Sequence, residues 1–259
     1  MKFYTCYSDT EDERDKYYQS VPTKLIVDNS YKIPKEKDIF IKDIFIKDGY
    51  LINNADNKTF VLNDSAVKSI CYLYLAKYDI LLSASYLYHK TLDFSKINLS
   101  DSSNEPTVLP ATSLRDILKI LRKKGAPLDS QWPYVASRVT LIPKSTIELK
   151  AFAHKLNTGY FKLSGLSQML EVLLAGNIFA FNYLTYFDLY KSLGDNFIYN
   201  VPTNLAEKNL SSAVCVGYNL ETRMFKCKES LPYFGDDSYF YIPFDIMTNE
   251  RHCNSKWVI

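Results

Sequence analysis

The sequence predicts a globular protein that contains both helix and strand, and three observations support this prediction. Hydrophobic residues make up 47% of the chain and charged residues 23%, a balance that suits a folded protein with a core. Residues 113–125 have the apolar spacing of an amphipathic helix, and residues 38–47 alternate as a β-strand does. A chain of 259 residues is also long enough to bury a large core.

The helix is predicted to begin after Ser113 and to end at Gly125. Ser113 is a favoured N-cap residue, and Asp116 follows it three residues later. The apolar residues recur at i, i+3, i+4 and i+7, which places them on one face: Leu114, Ile117, Leu118 and Leu121. The stretch therefore predicts a helix with one buried face.

A tandem duplication nearer the N-terminus predicts a strand or an extended arm. Asp38–Lys42 and Asp43–Lys47 both read DIFIK, so that isoleucine and phenylalanine alternate. Two interpretations remain open: the segment packs as a strand on its own chain, or it docks as an added edge strand on a neighbouring molecule. We assign residues 1–60 to an N-terminal extension or arm.

Five segments, in their order along the chain, resemble a known family. Gln131–Tyr134 reads Gln-Trp-Pro-Tyr, and Val61–Cys71 lines up without gaps on the pattern Val-Tyr-Asp-Gln-Gly-x-Leu-Gly-Ser-Cys-Thr of a nucleophile loop. The other three segments resemble C-terminal strands of the same family: Ser211–Tyr218, Phe225–Ser230 and Gly235–Phe244. Together they are similar to the papain-like cysteine peptidases.

The resemblance implies an α+β protein with a papain-like fold of two lobes. The helical lobe would lie at about residues 61–140, and an antiparallel, barrel-like β lobe at about residues 141–259. We therefore expect a papain-like domain at 61–259, preceded by the N-terminal arm.

The resemblance also indicates which positions would carry catalysis. Papain-like catalysis needs a thiolate at the start of a helix, a base, an amide that orients the base, and a glutamine that helps to bind the oxyanion. Carried over in that order, the positions are Ile70, Ser211, Glu229 and Asp64. None of these side chains supplies the group required. The resemblance therefore implies a pseudo-peptidase, and we predict that the chain is not an enzyme.

Two alternatives remain open for the former cleft. Cys71 directly follows Ile70 and would make the chain an active cysteine peptidase if a displaced base served it. In the second alternative, apolar Ile70 and Leu231 would line a site for a peptide or a small molecule. We expect surface or packing roles for the three histidines, His89, His154 and His252.

Composition limits the partners that we expect. The five cysteines show no Cys-x-x-Cys spacing, so neither a metal nor another cofactor is predicted. A net charge of +2 leaves little excess for binding phosphates, so we predict no nucleic-acid partner. Cys6 and Cys253 lie near the two ends, where chains are usually exposed, and are our candidates for intermolecular disulfides.

We expect the chain to act as a structural or protein-binding component, most of all by self-assembly into a homo-oligomer or lattice. The 21 tyrosines favour this function, because tyrosine is enriched at protein interfaces. A virion or occlusion-body protein would fit this description. No signal peptide or membrane span is visible, so we predict cytoplasmic synthesis, with a viral particle or inclusion as a further location, and no membrane partner.

Overall fold

The structure is a computed structural model. It describes residues 6–9, 12–19, 51–53, 59–61, 65–94, 107–108, 111–133, 141–186, 189–203, 208–229, 235–236 and 238–259. The helices within these residues are α1 (Ser65–Tyr78), α2 (Ala84–Phe94), α3 (Leu114–Lys123), α4 (Ser145–Phe152), α5 (Leu166–Leu174) and α6 (Phe244–Thr248). None of them is both long and apolar enough to cross a membrane.

The strands of the described residues form three sheets. The first six strands are β1 (Cys6–Tyr7), β2 (Leu51–Asn53), β3 (Thr59–Val61), β4 (Thr107–Val108), β5 (Thr112–Ser113) and β6 (Phe161–Lys162). The later strands are β7 (Phe179–Tyr186), β8 (Lys208–Asn219), β9 (Met224–Lys228), β10 (Tyr239–Pro243) and β11 (Cys253–Val258). The largest sheet is antiparallel and has the order β10-β9-β8-β7-β11-β6.

One face of this sheet encloses an aromatic core. Phe179, Phe181 and Tyr183 alternate along β7 and are fully buried, as strand periodicity requires of residues on one face. Phe225 and Phe240 join them from neighbouring strands, with ring centroids 6.2 Å from Phe179 and 5.2 Å from Tyr183, respectively. This core belongs to the β half of the molecule.

The predicted amphipathic helix is confirmed as α3. The Ser113 hydroxyl accepts a hydrogen bond from the Asp116 backbone N–H at 3.1 Å, so the predicted N-cap is present. Gly125 follows the helix at φ +77°, a left-handed conformation that suits glycine at a helix end. The four predicted face residues are all buried: Leu114, Ile117, Leu118 and Leu121.

Helix α1 lies between the large sheet on one side and helices α2 and α3 on the other. Its residues Val67, Ile70 and Leu73 belong to the core that α2 and α3 share. Val214 of β8 and Trp257 of β11 reach into the same core from the other face of the sheet. The predicted α+β class is therefore confirmed, with α1 joining its two parts.

Part of the predicted N-terminal arm packs on the rest of the chain. Strand β1 pairs in parallel with β5, which leads directly into α3. Asp15 forms an ion pair with Arg115 at 3.0 Å, and Tyr17 makes a parallel bridge with Lys162. The doubled DIFIK segment, residues 38–47, lies outside the described residues.

Candidate functional site

The start of α1 meets strand β8. The helix begins at Ser65, and its first turn contains no acidic residue. The Ser65 hydroxyl oxygen accepts a hydrogen bond from the backbone N–H of Ser212 at 3.2 Å. This contact fixes the first residue of the helix against the middle of β8.

A row of polar side chains crosses the sheet at this point. Ser212 pairs in register with Asn182 of β7, and its hydroxyl donates a hydrogen bond to the Asn182 Oδ1 at 2.6 Å. Asn182 pairs in turn with Asn254 of β11, so that the three side chains share one face. Leu210 and Val214 flank Ser212 in the α1 core, which identifies this face as the one that α1 contacts.

A second polar group lies on the opposite face of the same strands. Glu229 is buried directly after β9 and accepts hydrogen bonds from the hydroxyl groups of Tyr183 and Ser211. The Ser211 hydroxyl lies 3.3 Å from the carboxylate. Because Ser211 alternates with Ser212 along β8, its side chain points into the aromatic core of the β half. The buried carboxylate is thereby hydrogen-bonded, as a buried charge requires.

Three of the four positions carried over from the family resemblance are described, and they do not all lie together. Ser211 and Glu229 are brought together on the face of the sheet that encloses the aromatic core. Ile70 is fully buried inside α1, more than one turn after Ser65, and contributes to the helical core. Asp64 lies outside the described residues.

Ser65 and Ser212 are functional candidates that sequence reasoning missed. The ungapped alignment placed the start of the helix near Ile70, whereas the helix begins at Ser65. A local signal was present, because Asn63, Asp64 and Ser65 are all favoured N-cap residues and precede an apolar run. An alignment anchored on that signal would have placed Ser65 at the helix start.

The alternative nucleophile, Cys71, is fully buried in α1 and belongs to the helical core. Leu231, the second apolar residue proposed for a ligand site, lies outside the described residues. Among the described residues, no group of three or more His, Cys, Asp or Glu side chains is arranged to hold a metal ion.

The expected exposure of Cys6 and Cys253 is wrong, because both are fully buried. Cys6 is held inside by the pairing of β1 with β5, and Cys253 begins β11, which lies between β6 and β7. Burial raises the pKa of the Cys6 thiol, and it raises that of Cys253 to about 12. Both thiols therefore stay protonated near neutral pH, which disfavours their reaction to a disulfide.

The N-terminal segment also covers the candidate site. Strand β1 contacts β8, and the Ser212 side chain opposes the rise that burial causes in the pKa of the Cys6 thiol. Asp9 fixes the segment, since its carboxylate accepts a hydrogen bond from Trp257 Nε1 at 2.6 Å and one from the Arg115 backbone N–H at 3.2 Å. Burial raises the pKa of Asp9, and these hydrogen bonds oppose the rise.

The histidines lie on other elements. His89 is on α2 beside Lys90. Burial is the main cause that lowers the pKa of His89, and the positive charge of Lys90 lowers it further. His154 is in the turn after α4. His252 directly precedes β11, and its backbone carbonyl accepts a hydrogen bond from the Leu184 N–H at 2.9 Å.

Comparison with known proteins identifies the fold. The sequence matches no protein-family model, and no curated protein sequence matches it significantly. Among solved structures, it is similar to xylellain, a cysteine protease from Xylella fastidiosa, with a TM-score of 0.71 and 19% identity over 100% of this chain and 96% of that one. The chain has a papain-like fold.

Two further structures agree with this fold. The digestive procathepsin L2 proteinase of Tenebrio molitor matches with a TM-score of 0.57 and 16% identity, over 99% of this chain and 78% of that one. The cysteine protease and lectin-like domains of a surface layer associated protein of Clostridium difficile match with a TM-score of 0.51 and 15% identity. That match covers 75% of this chain and 45% of the other.

These neighbours contradict our prediction that the chain is not an enzyme. Each of them is a cysteine protease or proteinase, so the comparison gives no support for a non-enzyme. The prediction also rested on Ile70 standing at the helix start, and the helix begins at Ser65 instead. We correct the prediction on both grounds.

Proposed function

We propose that this chain is a divergent relative of the papain-like cysteine proteases and binds polypeptides. Its site would be the start of α1, where Ser65 faces Ser212. The observation that supports this proposal most is the position of that helix start in a fold whose neighbours are proteases.

The start of α1 has the chemistry to hold a peptide carbonyl group. The first backbone N–H groups of an α-helix have no partner within the helix, and the helix dipole makes this end positive. The first turn of α1 contains no acidic side chain, and Asp64, which precedes it in the sequence, lies outside the described residues. The carbonyl oxygen of an extended polypeptide is a suitable acceptor for these N–H groups. Ser212 and Asn182 lie on the sheet opposite the start of α1.

The Ser65 hydroxyl is buried and accepts a hydrogen bond from the Ser212 backbone N–H, so a peptide carbonyl group would reach it when this contact opens. A serine nucleophile needs a neighbouring group that takes its proton, and neither Ser212 nor Asn182 accepts a proton near neutral pH. The proposal is therefore one of polypeptide binding at Ser65, and cleavage is measured in the same experiment.

The test combines binding and mass spectrometry. Fluorescein-labelled peptides from carboxymethylated casein are titrated with the full-length protein, and fluorescence anisotropy and peptide mass are recorded on the same samples. We expect saturable binding that Ser65→Tyr weakens at least about tenfold, because the added ring fills the helix start. Ser145→Tyr is the matched control, since Ser145 is the first residue of α4 and is exposed.

If Ser65→Tyr does not fold, hydrogen exchange of the wild-type protein with and without peptide tests the proposal. A bound peptide should slow exchange of the backbone amides at Ala66 to Lys68 in the wild-type protein. The proposal fails if no peptide binds, if Ser65→Tyr binds as well as the wild type, or if binding leaves these amides unchanged.

Association with other protein chains, above all with copies of itself, is our second proposed function. It rests on the doubled DIFIK segment and on the 21 tyrosines of the sequence. Both proposals are compatible, because they use different parts of the chain.

A further inference from the structure

A surface around α4 exposes four large apolar side chains. They lie between residues 141 and 152, and their exposed fractions are 51% for Leu141, 78% for Ile142, 76% for Leu149 and 64% for Phe152. Leu149 and Phe152 are three residues apart in α4 and therefore share one face of the helix. We call these four residues the α4 surface.

The opposite side of α4 is firmly anchored. Ala151 is fully buried, and its backbone oxygen lies close to Gly125. A Cβ added to Gly125 would be 2.1 Å from this oxygen. Ile147 packs against the helical core, and Glu148 forms an ion pair with Lys90 of α2. A rigid helix therefore presents Leu149 and Phe152 to the outside.

Lysines surround the apolar side chains. Lys144 caps the start of α4, Lys150 is in its last turn, and the Lys155 Nζ lies 3.4 Å from the centroid of the Phe152 ring. None of these three lysines forms an ion pair with any residue that the structure describes. Glu148, the acidic residue of α4, is already neutralised by Lys90.

We propose that the α4 surface binds an anionic lipid bilayer. Apolar side chains inserted at the level of the acyl chains, with lysines at the level of the headgroups, are the pattern of a membrane-surface contact. Long lysine stems let apolar groups lie deeper than the charges that surround them. The Lys155 ammonium lies over the Phe152 ring, so this charge is next to an apolar side chain of the surface.

The charge and shape of this surface favour a bilayer over a protein. A symmetric contact between two copies would place the lysines of one α4 surface against those of the other, which is repulsive. Side chains that are 64–78% exposed protrude from the surface, so a protein partner would need a matching pocket for each. A fluid bilayer accepts protruding side chains without such a fit.

This inference departs from the sequence-based expectation of no membrane partner. That expectation considered only segments long enough to cross a bilayer, and a surface contact needs none. The exposure of Ile142, Leu149 and Phe152 is set by the packing of α4, which the sequence alone did not reveal.

The test is flotation of the full-length protein with lipid vesicles. Vesicles of 70% phosphatidylcholine and 30% phosphatidylserine are compared with vesicles of phosphatidylcholine alone, at low and at high salt. We expect flotation with the anionic vesicles, a decrease of at least about fivefold at high salt, and weak flotation with the neutral ones. The double variant Leu149→Ser/Phe152→Ser should lose at least about nine-tenths of the bound fraction.

Two further variants separate this surface from general effects. Lys144→Gln/Lys150→Gln should reduce binding to anionic vesicles and remove most of its salt dependence. Leu220→Ser is the matched control, because Leu220 is 44% exposed in the turn between β8 and β9, and it should float like the wild type. The wild type failing to float, or the Leu149→Ser/Phe152→Ser variant floating as well as the wild type, overturns the proposal. A double variant that loses its circular-dichroism signal is replaced by Leu149→Ser alone, which should lose at least half of the bound fraction.

Discussion

Glu229 carries a buried carboxylate that accepts hydrogen bonds from the hydroxyl groups of Tyr183 and Ser211. Tyr183 donates to it from the aromatic core, and Ser211 donates from 3.3 Å. A hydrogen bond to a charged acceptor stabilises a protein more than one to a neutral acceptor, and its loss exposes the charge to an apolar environment. The Tyr183 hydroxyl should therefore matter more than an ordinary buried tyrosine hydroxyl.

We predict that Tyr183→Phe lowers the free energy of unfolding by about 2 kcal/mol. Tyr199→Phe is the matched change, because Tyr199 is also buried but donates to a neutral acceptor, the Leu184 carbonyl oxygen, at 2.6 Å. It should lower the free energy of unfolding by about 1 kcal/mol. Urea denaturation of both variants measures the difference, and equal losses would contradict the role given to Glu229.

Asp9 makes the stability of the chain depend on pH. Burial raises the pKa of Asp9, with hydrogen bonds from Trp257 and Arg115 opposing it. Between the ordinary pKa of aspartate and this raised value, the folded state binds the proton more readily than the unfolded state. Stability from this group therefore increases as the pH falls through that window.

We predict that the stability difference between the wild type and Asp9→Asn changes with pH. Because asparagine does not titrate, the wild type should gain free energy of unfolding relative to the variant as the pH is lowered from 7 towards 4. Urea denaturation at several pH values measures this difference. A difference that stays constant, or that moves in favour of the variant at low pH, would show that Asp9 is not held as the structure has it.

At the scale of the elements, the turn after α3 fixes the position of α4. Gly125 has φ +77°, and a Cβ at this position would lie 2.1 Å from the Ala151 backbone oxygen. Gly176, after α5, has φ +76° but no atom within 4 Å of such a Cβ. Alanine substitutions at the two positions therefore distinguish the cost of a left-handed backbone from the cost of steric overlap.

We predict that Gly176→Ala destabilises the protein by about 1 kcal/mol, the cost of a left-handed conformation alone. Gly125→Ala should cost about 3 kcal/mol, because overlap with α4 adds to the same strain. Thermal and urea unfolding compare the two variants directly. Equal effects would show that α3 and α4 do not approach as closely as the structure indicates.

The elements also show what the sequence could predict about the site. Helix α3 was predictable because its cap, apolar face and terminating Gly125 are all local signals. The start of α1 was misplaced because it was inferred from an alignment to a distant family, although Ser65 carried a local N-cap signal. The contact of Ser65 with Ser212 joins residues far apart in the chain, so no local pattern could predict it.

At the scale of the molecule, the papain-like fold was predictable from the order of short segments, although no single motif was intact. Burial of the chain ends was not predictable in the same way. Cys6 is buried because β1 pairs with β5, and Cys253 because β11 lies between two other strands. Such pairings between distant segments decide exposure, and proximity to a terminus does not.

Self-association through the doubled DIFIK segment is a prediction for the whole molecule. Ile39, Phe40, Ile44 and Phe45 supply apolar side chains on both faces of a predicted strand, and edge strands join chains through backbone hydrogen bonds. Antiparallel pairing of two copies would set Asp38 against Lys42, or Asp43 against Lys47, and would fix the register.

We predict that the wild type is a dimer or larger in solution and that a variant with serine at these four apolar positions has the mass of one chain. A deletion of residues 1–60 would be a poorer test, because it would also remove the buried Cys6 and the Asp9–Trp257 hydrogen bond. Sedimentation equilibrium over a range of concentrations measures both proteins, with Leu220→Ser as a control for an exposed apolar residue elsewhere. A monomeric wild type at high concentration, or a serine variant that keeps the wild-type mass, would rule out this segment as the principal contact.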